Sequence, residues 1–198
     1  MQEVTILKKP DRISFDDVHE LLYQAHEENR QNNLTVKTSL LPGDELKELI
    51  GEEGCCFVGL AGEKLVATTS VQVKECKRWY AHGKVLRKIL VAVLPEYRGN
   101  RLSDKFEPAV EAFAKENGYD CVEMHTARNN RNMQKAAGRQ GYRYADFILV
   151  RGEDHYTVVM VKWLNGAPCS ELQRQMHYLK NKLRVLAKYG RAPGKRKN

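Results

Sequence analysis

The chain has 198 residues, 42% of them hydrophobic and 29% charged, which suffices for one full core and is marginal for two, so a single domain is expected. No apolar run approaches the ~20 residues of a membrane-spanning helix, and an N-terminal segment carrying Glu3, Lys8, Lys9 and Asp11 does not read as a secretory signal, so the expected location is cytoplasmic. The net charge of +8 sits at one end: residues 150–198 hold eleven Lys and Arg against three Asp and Glu, whereas residues 1–149 balance, which argues against a main surface that grips nucleic acid and leaves the tail a weak, salt-sensitive attraction.

Val4-Thr5-Ile6-Leu7 reads as a short strand, and Ser14 as the N-cap of a helix whose apolar positions are Phe15, Val18, Leu21, Leu22 and Ala25. A second helix starts at Pro42-Gly43-Asp44, with Asp44 as its expected cap and Leu46, Leu49 and Ile50 on one side. Residues 56–60 and 65–73 form a hairpin about Gly62-Glu63. A polar linker holding Trp79 and Tyr80 then precedes Ile89-Leu90-Val91-Ala92-Val93, which is apolar on both faces, as a mid-sheet strand should be. A helix from Asp104 to Asn117 and a strand from Cys121 to Thr126 complete a strand–helix–strand crossover. Residues 132–140 read as a helix closed by Gly141, followed by strands at 144–150 and 156–164 joined at Gly152-Glu153-Asp154.

Five cysteines, an odd number with no CxxC pair, are expected as reduced thiols, and no His/Cys cluster has metal-ligand spacing, so no metal is expected. After Pro168, Ser170 is suited to cap a last helix with Glu171 in its first turn. Leu172, Met176, Leu179, Leu183 and Leu186 then recur at steps of four and three, a stripe that needs covering, by the domain itself or by the same helix of a second copy in a homodimer. The expected organisation is a domain over 1–166, an amphipathic helix over 167–190 and a basic, disordered tail over 191–198.

Between the central strand and the following helix lies Pro95-Glu96-Tyr97-Arg98-Gly99-Asn100-Arg101-Leu102-Ser103. A turn of this kind leaves unpaired N–H groups at the positive end of a helix, and Arg98 and Arg101 add charge, so it suits a pyrophosphate. An apolar strand, this turn, a helix, a strand, Asn130 and then Gly141-Tyr142 resemble the ordered motifs of the GNAT acyltransferase superfamily over roughly residues 1–165. The resemblance implies an α/β (α+β) fold: a mixed sheet of about seven strands flanked by helices, here with an extra C-terminal helix. It implies acetyl-coenzyme A as acyl donor and an amine, on a small molecule or a peptide, as acceptor.

By that resemblance Arg98, Gly99, Asn100, Arg101, Leu102 and Ser103 hold the pyrophosphate, with Arg101 and Ser103 standing where the family pattern has small residues. Arg101 must then adopt the backbone angles of a glycine, and Ser103 is placed to cap the helix. Val91 and Val93 offer main-chain groups to the pantetheine arm where the central strand splays from its neighbour, and Asn130 either contacts the coenzyme or caps the next helix. His125 falls where amine-acetylating relatives carry a glutamate base, and an imidazole titrates near neutrality as a base should; Glu123, on the same strand face, is the alternative. The tyrosine that many relatives use as general acid is Ala137 here. The expected function is N-acetyl transfer by direct attack, with a catalytically silent coenzyme-binding or interaction module of the same fold as the alternative.

Overall fold

The computed structural model describes residues 3–31, 37–150 and 155–190. Seven strands form one sheet in the order β1-β2-β3-β4-β5-β7-β6: β1 Val4–Lys8, β2 Cys55–Ala61, β3 Lys64–Arg78, β4 Ala81–Val93, β5 Cys121–Ala127, β6 Arg143–Leu149 and β7 Tyr156–Trp163. β4 and β5 are parallel neighbours, as a strand–helix–strand unit requires, and every other pair is antiparallel. The helices are α1 Phe15–Ala25, α2 Glu27–Gln31, α3 Gly43–Ile50, α4 Glu107–Glu116, α5 Arg131–Arg139 and α6 Glu171–Tyr189. The expected turn at Gly152–Asp154 and the tail over 191–198 lie outside the described residues.

Ser14 caps α1 as expected, its Oγ accepting the Asp17 N–H while the Asp17 carboxylate accepts the Ser14 N–H. α3 begins two residues before the sequence suggests, with Pro42 at the cap and Asp44 inside the first turn. At Gly43 a Cβ would stand 2.4 Å from Asp16 Oδ1 and 2.8 Å from the Asp16 nitrogen, so α1 and α3 meet on a glycine.

Two sequence expectations fail. The supposed polar linker is a long hairpin: β3 runs on to Arg78, β4 starts at Ala81, and Trp79-Tyr80 makes the two-residue turn. Both turn residues keep negative φ, so this is not the Asn-Gly type of tight hairpin, and aromatic anchoring holds the tip instead. Trp79 Nε1 donates to the Ala145 carbonyl and Trp163 Nε1 to the Tyr80 carbonyl, which lays the tip over β7 and β6. Around it Cys76, Tyr80, Val85, Cys121, Ala145, Val159 and Val161 form a second small core.

The second failure concerns α6. Ser170 and Gln173 close a capping box as the sequence suggests, but of the two covers expected for the apolar stripe, packing on the domain itself fails from Leu172 to Leu183, and only Leu186 reaches the core. Leu172 and Leu183 are 68% and 67% exposed, and Met176 and Leu179 also face solvent. The face turned to β6 carries Arg174, Tyr178 and Asn181. Arg174 donates to the Tyr144 carbonyl, Asn181 donates to the Phe147 carbonyl, and Tyr178 stacks on Tyr144 with centroids 5.3 Å apart. Polar side chains that reach the main chain of β6 outweigh apolar periodicity here, because β6 lies at the sheet edge and presents unpaired carbonyls.

Candidate active site

β4 and β5 pair only over Leu86–Val122, Arg87–Glu123 and Lys88–Met124. Beyond that point β4 stays with β3 as far as Val93 and β5 stays with β7 as far as Ala127, so the two strands diverge. The register shift between Thr68 and Ser70 accommodates Leu90, at φ 50°, and marks where β4 turns away. From Val91 to Val93 the edge of β4 toward β5 is therefore unpaired, and Val93 reaches the cavity that follows.

The cleft ends at the turn after β4. A cavity of about 310 Å³ is lined by Val93, Tyr97, Arg98, Gly99, Arg101, Leu102, Ser103 and Arg139. Gly99 has φ +83° and Arg101 φ 53°, so Arg101 does hold the left-handed geometry that its place in the turn demands. A 3₁₀ turn over Leu102–Phe106 follows and leads into α4. The Gly99 and Arg101 N–H groups find no acceptor among the described residues, and those of Leu102 and Ser103 open the helical turn. Such a nest of N–H groups favours an anion.

The side chains depart from expectation in three places. Arg98 turns away from the nest: its guanidinium donates to the Val93 carbonyl, the Ala25 carbonyl and Glu28, tying the end of α1 to the turn. Ser103 does not cap the helix, because the cap lies two residues earlier at Arg101; its hydroxyl accepts a bond from Gln140 instead. Arg139 of α5, paired with Asp104 at 3.4 Å, joins the cavity wall, and nothing in the turn's own sequence points to it. Asn130 is the N-cap of α5, its Oδ1 accepting the Met133 N–H, so that oxygen is committed.

Behind the turn, Lys88 is buried with Glu107 and donates to Gln140 at 3.2 Å, fixing α4 against β4 and α5. Tyr142 is fully buried beside this group and remote from solvent. Ala137 is buried in α5. The Tyr144 hydroxyl donates to Gln134, one helical turn before Ala137.

Where β5 leaves β4, Glu123 and His125 share one face. Glu123 is 1% exposed and holds Arg87 Nε on one oxygen at 2.6 Å and the Tyr80 hydroxyl on the other at 2.6 Å. Burial raises the Glu123 carboxyl, but His125, Arg87 and Tyr80 outweigh it and pull it down to about 2. Burial and the Glu123 charge push the Tyr80 phenol far up, so it stays a donor. His125 Nε2 lies 3.5 Å from Glu123 Oε1, an electrostatic contact without hydrogen-bond alignment. Nε2 is covered while the side chain keeps 22% exposure, so the rest of the ring, not this nitrogen, meets solvent. Cys121, next along this face, is buried, and its thiol is pushed up to about 12, which removes it as a nucleophile. Tyr80 and Arg87 escape the sequence reading because both lie in the supposed linker; the alternation of Arg78, Tyr80, Val85 and Arg87 with exposed polar residues was the only signal.

A seven-stranded mixed sheet that splays beside an N–H-rich turn, with a buried carboxylate and an imidazole on the strand across the gap, defines an acyl-coenzyme A transferase type of architecture. Residues 15–142 match the acetyltransferase (GNAT) family, and the chain belongs to that family. Among curated proteins none matches the sequence. The fold is similar to that of an N-acetyltransferase from Staphylococcus aureus Mu50, at 15% identity and TM-score 0.62 over 83% of this chain and 99% of that one. It is also similar to Arabidopsis thaliana NAA60 in complex with acetyl-CoA, at 13% identity and TM-score 0.61 over 83% and 100%. A GNAT family acetyltransferase from Elizabethkingia anophelis with acetyl-CoA bound gives 13% identity and TM-score 0.57 over 81% and 98%. No described helix is long and apolar enough to cross a membrane.

Proposed function

We propose that this protein transfers an acetyl group from acetyl-CoA to an amine, on a small molecule or a peptide, by direct attack on the thioester. The observation that carries the reading is the cleft between β4 and β5, which opens beside His125 and ends at the nest of N–H groups around Gly99 and Arg101. In this reading the turn from Arg98 to Ser103 receives the pyrophosphate, chiefly on backbone N–H groups, with Arg101 and Arg139 supplying charge. The main-chain groups of Val91 and Val93 align the pantetheine arm.

With Nε2 protonated toward Glu123, the remaining ring nitrogen of His125 is free to take a proton from the attacking amine. Glu123 is ionised and buried, and its charge 3.5 Å from Nε2 stabilises the imidazolium that forms; it is too enclosed by Arg87 and Tyr80 to be the base itself. The new N–C bond forms as the C–S bond breaks, and the amine proton passes to His125. A thiolate is a stable enough leaving group to depart without a dedicated acid, which fits Ala137. That same Ala137 favours the second reading, a coenzyme-binding module without turnover.

The test pairs binding with chemistry. Acetyl-CoA is expected to raise the melting temperature of wild type and of His125→Ala equally, while acetyl transfer to an amine panel falls about 100-fold in the variant. Absence of any shift at millimolar acetyl-CoA removes the reading. A shift without transfer in wild type leaves the silent module.

A further inference from the structure

A second cavity, of about 300 Å³, lies between the β3–β4 hairpin tip and α6, lined by Arg78, Trp79, Asp146, His177, Lys180, Asn181 and Arg184. Its one carboxylate is already committed: Asp146 pairs with Arg78 and accepts from Asn181 and from the Phe147 N–H. Lys180 and Arg184 have no carboxylate partner among the described residues. None can come from their own helix, because α6 carries no acid after Glu171, which pairs with Arg174. Surface cations are normally interspersed with anions, so two uncompensated ones at a concavity are a departure. The wall beside them is rigid, with Trp79 stacked on His177 at 4.7 Å and 10°.

Lys180 and Arg184 stand one turn apart on α6, so their side chains start about 5–6 Å from each other. That spacing lets an Arg fork and an ammonium meet on a single tetrahedral dianion. The cavity also has a relation to the candidate base. His125, Val159 and Asp146 are consecutive partners across β5, β7 and β6, so His125 and Asp146 are two strand spacings apart, about 10 Å. Arg78 belongs to both places, pairing with Asp146 while feeling the Glu123 charge.

We propose that this basic cavity, whose wall residue Asp146 lies about 10 Å across the strands from His125, binds a phosphate group of a small acceptor whose amine lies at His125. The proposal rests on the acetyl-transfer reading for the amine end only; the anion site stands on its own residues.

The test therefore has two arms. In the first, inorganic phosphate is titrated into the full chain in a phosphate-free buffer and the melting temperature is followed, for wild type and for K180Q/R184Q, each also with Gly99→Val to weaken the cofactor turn. A saturable rise whose midpoint moves at least ten-fold higher on K180Q/R184Q, in both backgrounds, is expected. Equal titrations with and without the two cations overturn the site. So does binding seen only for a single-stranded RNA 20-mer and not for phosphate, which would make this a nucleic-acid surface.

In the second arm, ω-aminoalkyl phosphates of two to eight carbons are compared with the matching amino alcohols as acetyl acceptors. KM is expected to be at least ten-fold lower for the phosphates of intermediate length, an advantage that K180Q/R184Q loses with kcat retained. Transfer with no preference for phosphates overturns the acceptor assignment and leaves acetyl transfer intact. Phosphate binding with no transfer to any amine does the reverse, keeping the anion site and removing the catalytic reading.

Discussion

The turn after β4 and the polar cluster behind the hairpin tip accommodate charge in opposite ways. The turn is built from main chain: contiguous residues, a left-handed Gly99 and Arg101, and N–H groups left open, with little dependence on side-chain identity. The cluster is built from side chains gathered from β3, the hairpin turn, β4, β5, β6 and α6, each satisfied by another. A main-chain site tolerates sequence drift as long as the backbone path survives. A side-chain network fails when one member goes, because its partners are left buried and unpaired.

The largest expected effect is at Glu123. Glu123→Ala leaves Arg87 and the Tyr80 hydroxyl without their acceptor and is expected to cost about 3 kcal/mol in denaturant unfolding, with activity lost besides. The pH dependence should follow. The folded Glu123 carboxyl sits at about 2 against an ordinary 4.5, so its stabilisation is complete above pH 4.5 and is lost as pH falls toward 2. Wild type is expected to weaken across that window and Glu123→Gln to lose this part of the slope. Equal slopes for both would break the contrast between the two regions.

Gly99→Val should be felt in binding more than in folding. A Cβ there meets no protein atom within 4 Å, so the fold bears only the left-handed backbone, about 1–2 kcal/mol. The side chain enters the cavity, and acetyl-CoA affinity by calorimetry is expected to drop at least ten-fold, on the order of 1.4 kcal/mol. Smallest is Arg101→Gly. Roughly 1 kcal/mol of backbone strain is released and part is returned as entropy of the more flexible unfolded chain, so stability should rise by about 0.5 kcal/mol. Affinity should weaken a few-fold with the lost charge, more at low salt than at high. A large loss of affinity would mean that the turn depends on side chains after all.

The same contrast decides what the sequence could tell. The turn was legible because its parts are consecutive and glycine and arginine are themselves the signal. So were the order of the strands and the caps at Ser14 and Ser170. The β3–β4 hairpin was not, since Trp79-Tyr80 is no tight-turn signature and the strand residues from Lys74 to Lys88 alternate charge with apolar positions only irregularly. Its stability comes from indole bonds to Ala145 and Tyr80 carbonyls that are distant in sequence. With the hairpin unseen, Tyr80 and Arg87 could not be brought to Glu123. On α6 the helix was legible and its orientation was not, because apolar period predicts which face seeks burial and cannot weigh Arg174 and Asn181 against it.

The indole pair at the hairpin tip makes the protein its own optical instrument. The chain has two tryptophans, Trp79 and Trp163, with centroids 6.3 Å apart, and both sit against the tip. Emission therefore arises from one place, and Trp79 is stacked on an imidazole whose protonation alters indole fluorescence. Events at the basic cavity or a shift of α6 change the signal directly, whereas the cofactor turn carries no indole and reports only through the sheet. If the proposed cofactor and phosphate sites hold, ligand arrival at each can thus be timed separately in unlabelled protein.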